Sequence, residues 1–328
     1  MVMFWTFLLA AGLLLYVLLD GFDLGVGILF GLAPDEAARR SMMGAVAPVW
    51  DGNETWLVLG GTVLWGAFPV VYSVLLSAFY LPLLVMLAGL ILRGVAFEYR
   101  MKTERLRWIW DAAFFGGSLI ASFMQGAAVG ALVEGLPILN GRYTGGELGW
   151  LSPFALLCGV GLCIGYTLLG ACWLVRKCEA EVRDLAYRLI PALSIALLGF
   201  LVVVFVYALA ENLQVMQRWL ERPILFIFPL IGAAATLVLA YSVRHRRDGA
   251  PFFMVALIFA AAFGTLAISF WPYIIPFSIT IYEAAAPHAS LAFMFWGEGL
   301  FVFPLLLVYT AVTYSVFRGK ASATSHHY

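Results

Sequence analysis

Nine long apolar runs constrain the fold of this chain more than any other feature of its sequence. A helix needs about 20 residues to cross the roughly 30 Å of hydrocarbon in a bilayer. The runs are too long and too continuous for barrel strands, which alternate over about ten residues. They predict an all-α, polytopic membrane helix bundle that forms a single integral-membrane domain over residues 1–328. The predicted spans are 5–31, 54–71, 74–95, 112–133, 152–174, 188–210, 224–242, 251–271 and 291–316.

The join between the second and third runs leaves two interpretations open. The second run is short and a tight turn around Pro69 follows it, so a merged or re-entrant pair is an alternative to two separate spans.

The composition itself excludes an ordinary soluble protein, because 63% of the residues are hydrophobic and only 12% are charged, against about 25% charged residues in a typical soluble domain. Equal numbers of acidic and basic residues, 19 of each, give no reason to expect a nucleic-acid partner.

Basic residues in the connecting segments predict the orientation of the bundle. With the N-terminus outside and the C-terminus in the cytoplasm, sixteen lysines and arginines lie inside. Only three, Arg142, Arg218 and Arg222, lie outside. Cytoplasmic segments of membrane proteins carry this excess of positive charge. The first residues lack a basic region, so the first span is expected to be retained rather than cleaved as a signal peptide.

Histidine placement argues against a haem bound by this chain alone. Its four histidines are His245 in an inner loop, His288 in an outer loop, and His326 and His327 in the tail. A haem within a membrane usually needs a histidine in a span as its axial ligand. No cluster of histidine and acidic residues has the spacing of a metal site either.

Two acidic residues in the first span cost free energy to insert into the bilayer, so their presence indicates a specific role. Asp20 and Asp23 are three residues apart and share a helix face. With the N-terminus outside, both lie toward the cytoplasmic half. They are interpreted either as a proton-carrying pair or as polar groups that pack against neighbouring helices. Gly21 and Gly25 form a GxxxG pair beside them, which suits close helix contact.

Other candidate residues fall near the same side. Asp51, followed three residues later by Glu54, resembles a capping box at the start of the second span, and either acid is also a candidate for proton relay. Arg93, at the end of the third span, either neutralises one of the acids or extends to water. Glu298 is predicted about 10–12 Å below the outer surface, as an outer proton or quinone-side carboxylate or as a protonated packing group.

Four short blocks, in order, carry a family resemblance. They are residues 20–27 (DGFDLGVG), 47–53 (APVWDGN), 93–100 (RGVAFEYR) and 108–111 (WIWD). With these blocks the chain resembles subunit II of cytochrome bd-type quinol oxidases, including the cyanide-insensitive branch. The chain length, the predicted number of spans and the predicted outer N-terminus agree with that family over the rest of the chain.

The resemblance implies a role in a bacterial inner-membrane complex that oxidises quinol and reduces dioxygen to water. In that family, a partner, subunit I, carries haems b and d, and subunit II binds no haem. The acid of the Trp-Asp-Gly-Asn block, here Asp51, lines a proton path between the subunits. Some members hold a structural quinone in subunit II, and a small accessory subunit is a further possible partner. Several members have Gln-Val where this chain has Glu54-Thr55, which places an extra carboxylate beside Asp51.

Two other functions are compatible with intramembrane acids. A stand-alone proton-coupled transporter is one, although inverted repeats and paired interrupted helices, which mark many transporters, are not evident in the sequence. A purely structural assembly subunit, in which the acids only pack helices, is the other.

Overall fold

The computed structural model describes residues 1–103, 105–211 and 213–320, and the side chain of residue 220 is also left out. His326 and His327 therefore lie outside the described residues. Helices dominate the described chain, with two short antiparallel strand pairs in its connections.

The first half of the chain holds the helices that build the site. They are α1 (Val2–Phe30), α2 (Glu36–Val46), α3 (Trp50–Ala67), α4 (Pro69–Ala78), α5 (Tyr80–Arg100) and α6 (Arg107–Glu134). The strand pair β1 (Ile138–Leu139) and β2 (Arg142–Tyr143) follows α6, with Ile138 opposite Tyr143.

The second half completes the bundle. It contains α7 (Pro153–Lys177), α8 (Ala180–Ala210), the short α9 (Gln214–Glu221), a 3-10 turn (Pro223–Phe226), α10 (Ile227–Arg244) and α11 (Ala250–Phe270). The pair β3 (Tyr273–Ile275) and β4 (Ile279–Thr280) leads to α12 (Ile281–Ala284). The last membrane helix consists of α13 (His288–Met294), a π-helical segment (Phe295–Val302) and α14 (Phe303–Val316).

Eight helical stretches in the described part are long and apolar enough to cross a membrane: α1, α5, α6, α7, α8, Pro223–Arg244, α11 and His288–Val316. They confirm the predicted membrane helix bundle. The predicted spans 54–71 and 74–95 are wrong in their bounds. The helix α3 ends at Ala67, α4 begins at Pro69, and α5 begins only at Tyr80. Proline has no amide hydrogen to donate, so it suits the first turn of a new helix rather than the interior of one long span.

The helix α1 lies at the centre of the bundle and packs against α3, α6 and α7. A Cβ atom on Gly25 would overlap the carbonyl of Tyr166 in α7, so this position requires glycine for the observed approach. Around one end of α1, Phe22 stacks on Trp173 with ring centroids 4.1 Å apart, and a second apolar cluster surrounds Trp5 at the other end. By contrast, no residue of α14 is fully buried, although Phe303, Leu306 and Tyr314 are partly buried against the core.

Candidate functional site

A buried arginine joins acidic groups from two other helices. Arg93 of α5 donates from Nη1 to Oδ1 of Asp20 on α1 and from Nη2 to Oε2 of Glu54 on α3, each over 2.6 Å. The Arg93 and Asp20 side chains are 0% exposed, whereas Glu54 is 29% exposed. Of the two alternatives for Arg93, the structure shows the pairing rather than extension to water.

Asp23 belongs to the same cluster through an amide. Its Oδ2 accepts a hydrogen bond from Nδ2 of Asn53 over 2.7 Å. The hydroxyl of Tyr314 on α14 donates to Oδ1 of Asn53 over 2.9 Å. Neither Asn53 nor Tyr314 was predicted from the sequence as a member of this cluster. Asn53 stood in a conspicuous polar block next to the acids, but nothing distinguished Tyr314 from other tyrosines in apolar helices.

The charges of this cluster do not balance. One guanidinium faces three carboxyl groups, Asp20, Asp23 and Glu54. Within the described residues, Oδ2 of Asp20 and Oδ1 of Asp23 have no hydrogen-bond partner. Unpaired buried charge is costly in a low-dielectric interior, so the contacts of Arg93 with Asp20 and Glu54 are the main charge compensation that the described residues offer this cluster.

A second set of buried polar groups begins one helical turn from Asp20. Tyr16 accepts a hydrogen bond from Nε2 of Gln125 over 2.7 Å, and the hydroxyl of Tyr166 donates to Oε1 of Gln125 over 3.1 Å. These bonds link α1, α6 and α7 in the interior. These bonds continue the series of buried polar groups from Asp20 in the direction away from Glu54. No sequence pattern predicted them.

Asp51 lies at the exposed end of this arrangement. The predicted capping box is wrong, because Val49 is the N-cap of α3, its side chain makes no cap bond, and Asp51 lies inside the first turn. Glu54 faces Arg93 instead of the cap. Asp51 is exposed, Glu54 half-buried and Asp20 fully buried, so the acids form a graded series from the surface to the core.

Glu298 is not brought into the cluster. It is half-buried in the π-helical segment Phe295–Val302, whose Phe295 ring lies 5.0 Å from that of Phe4. At 1.5 Å per residue, Phe4 is about 24 Å along α1 from Asp20. The two acidic positions therefore belong to different ends of the bundle.

A separate ionic network covers the end of the bundle near α2. Glu36 accepts two hydrogen bonds from Arg100, over 3.1 and 2.8 Å, and Asp111 accepts one from Nε of Arg100 over 2.5 Å. Partial burial raises the pKa of Glu36, but the hydrogen bonds and charges of Arg100, Arg40 and Arg107 together lower it more, and the net pKa lies below its ordinary value of 4.5. Glu36 is therefore held ionised.

A sequence profile described as "Cytochrome bd terminal oxidase subunit II" matches residues 1–317. The chain belongs to this family. It is 32% identical to the "Probable cytochrome oxidase subunit 2" of Haemophilus influenzae, over 97% of this chain and 94% of that one. It is also 32% identical to the "Cytochrome bd-I ubiquinol oxidase subunit 2" of Escherichia coli K12, over 96% and 94% of the two chains.

The fold has a solved counterpart. A chain of the bd oxidase from Geobacillus thermodenitrificans superposes with a TM-score of 0.66 at 18% identity, over 93% of this chain and 98% of that chain. This chain is accordingly a subunit of a bd-type terminal oxidase, an oxidoreductase of the bacterial inner membrane. The relatives support this role and not that of a stand-alone transporter.

Proposed function

We propose that this chain is the haem-free subunit of the oxidase and that it passes protons from the cytoplasmic side toward a haem-bearing subunit I. Asp51 takes up the proton at the surface, Glu54 receives it, and Asp20 and Asp23 hold it in the interior. Arg93 positions Asp20 and Glu54. The quinol is oxidised and dioxygen is reduced at redox centres of the partner.

The observation that carries this proposal is the double contact of Arg93. It holds Asp20 and Glu54 at 2.6 Å each, so a fully buried acid and a half-exposed acid share one guanidinium. Proton transfer needs groups within hydrogen-bond reach, directly or through one water. Because Arg93 contacts both acids, it holds Glu54 next to Asp20 on the exposed side of the cluster.

The exposed acid lies beside an unpartnered surface. On α3, Val58 and Trp65 are exposed, and α14 buries no residue. A Cβ on Gly52 would lie 2.8 Å from the ring of Tyr309, so the first turn of α3 meets α14 next to Asp51. We place subunit I against this surface, so that Asp51 lies at the edge of the contact between the two subunits, where the proposed path begins.

The family implies haems in the complex, and the described residues of this chain do not fit one. His245 is exposed after α10 with Nδ1 2.8 Å from the carbonyl of Tyr241, and His288 is exposed at the start of α13. No step of the proposal therefore passes through a haem of this chain. Subunit I is the proposed site of haems b and d.

The proposed proton path requires neither a bound quinone nor a small accessory subunit. The larger described cavity, about 430 Å³ between α6, α7 and α8, has almost entirely apolar walls. Its Thr167 hydroxyl donates to the carbonyl of Cys163, so it offers few donors for a quinone ring.

The experiment is quinol-driven oxygen consumption by the purified complex with Asp51→Asn or Glu54→Gln. We expect slower turnover with normal haem content and subunit yield. Glu98→Gln is the matched control, since Glu98 is an exposed acid whose one ion-pair partner among the described residues is Lys102, over 3.4 Å. Normal turnover of both variants in a fully assembled complex contradicts the proton role and leaves the assembly-subunit interpretation.

A further inference from the structure

The end of the bundle near α2 contains a groove outside the acidic cluster. The Arg39 groove, about 290 Å³ in volume, is lined by Phe30, Leu32, Arg39, Asp111, Ala112 and Phe115 among others. Leu32, Ala112 and Phe115 are exposed, so its apolar wall is accessible from outside. Arg39 adds a cation to this wall.

The groove lies at the ends of two membrane-spanning helices. It is built where α1 ends at Phe30 and where α6 begins at Arg107. Trp108 in the first turn of α6 is exposed on the face that continues to Ala112 and Phe115. Tryptophan is enriched at the membrane–water interface, so the apolar wall extends from the interface into the hydrocarbon.

The charges around the groove favour an anion. Among the described residues, the ionic network contains four arginines and two carboxylates: Arg39, Arg40, Arg100 and Arg107 with Glu36 and Asp111. Adding Asp35, which caps α2 by accepting from the amide of Ala38, leaves an excess of one positive charge in this described set. Both oxygens of Asp111 are occupied by Arg39 and Arg100, which offsets its repulsion of an anion.

Arg39 has unused hydrogen-bonding capacity. Its Nη1 donates to Oδ2 of Asp111 over 3.1 Å, and its buried Nε has no partner among the described residues. A guanidinium carries five N–H donors, and the Arg39 side chain is 36% exposed. The exposed part of its guanidinium, rather than the buried Nε, can therefore donate to a further acceptor without breaking the bond to Asp111.

We propose that the Arg39 groove binds an anionic phospholipid, with the phosphate on Arg39 and an acyl chain against Leu32 and Phe115. A free phosphate would use the arginine but not the apolar wall, whereas a lipid satisfies both. Arginine is well suited to phosphate because its planar donors match the phosphate oxygens. Basic residues at the inner interface attract anionic lipids in general, and the groove adds a defined place for one chain.

The test is native mass spectrometry of the detergent-purified oxidase complex titrated with phosphatidylglycerol or phosphatidylcholine. Arg39→Gln is compared with Arg40→Gln, which removes the same charge from the same helix outside the groove. Ala112→Trp fills the groove without changing any charge, and Val129→Trp is its control at an exposed position farther along α6. We expect Arg39→Gln to weaken binding of one phosphatidylglycerol about tenfold, as for loss of a charged hydrogen bond. We expect Ala112→Trp to weaken it as well by blocking the acyl chain, while both controls bind as the parent does.

Three results would overturn the assignment. Equal weakening by Arg39→Gln and Arg40→Gln indicates bulk charge attraction. Unchanged lipid binding by Ala112→Trp shows that no chain occupies the groove, and this result stands even if Arg39→Gln fails to assemble. Displacement of the lipid by millimolar inorganic phosphate indicates a site for free phosphate.

Discussion

Replacing Arg93 by glutamine tests the buried charges of the site most severely. The change leaves Asp20 without its cation in a position that is 0% exposed. Removing one partner of a buried ion pair costs about 3–5 kcal/mol. We expect Asp20 to account for most of this cost, because Glu54 is 29% exposed and can turn to water. Large membrane complexes unfold irreversibly, so the loss is measured as a rate, and each 1.4 kcal/mol changes a rate about tenfold. The expected acceleration is therefore about 10²- to 4 × 10³-fold.

The assay is the rate at which the purified complex loses its visible haem spectrum at one elevated temperature. Arg93→Gln combined with Asp20→Asn should recover most of the lost lifetime, and Arg93→Gln combined with Glu54→Gln should recover less. Residues in direct contact show such non-additive effects. The reasoning is refuted if Arg93→Gln is as long-lived as the parent, or if the combination with Asp20→Asn is as labile as Arg93→Gln alone.

Three other parts of the structure give predictions of their own. Asp23→Leu removes one of the two acceptors of the Asn53 amide and leaves only the carbonyl of Leu19, at a cost of about 1–3 kcal/mol, and should lower complex yield more than Asp23→Asn; equal yields would count against the Asp23–Asn53 bond. Gly25→Ala should impair assembly by overlap with α7, whereas Gly199→Ala, which meets no atom within 4 Å, should not; matching yields would refute the close helix contact. Because the pKa of Glu36 is lowered, its stabilising contribution is present at neutral pH and is lost as the pH falls through the lowered value. The thermal stability of Glu36→Gln should therefore fall less steeply in acid, and superimposable pH profiles in thermal melts would contradict the ion pair.

Much of the bundle could be predicted from the sequence because a bilayer restricts what a chain can do. Long apolar runs must form helices that satisfy their own backbone. Charged side chains that interrupt those runs need partners. Asp20, Asp23 and Arg93 could therefore be recognised from the sequence as candidate site residues. The Gly21–Gly25 pair likewise predicted a close helix contact, and α7 provides it at Gly25.

Other features depend on tertiary contacts that leave no local pattern. The hydropathy pattern did not predict that Phe79 separates α4 from α5, because the residues before and after Phe79 are apolar alike. The spacing of Asp51 and Glu54 fits a cap equally well, and only the position of Arg93 draws Glu54 away. The π-helical segment around Glu298 and the bond from Tyr314 to Asn53 arise from packing between distant parts of the chain.

Proton uptake from the cytoplasmic side of proteoliposomes is the most direct test of the central claim. The fully assembled complex with Asp51→Asn is compared with the parent during quinol-driven oxygen reduction, with a pH-sensitive dye on that side. The account predicts that proton uptake slows in proportion to turnover while haem content stays normal. Uptake at the parental rate in the assembled variant would show that protons reach the redox centres by a route that does not use Asp51.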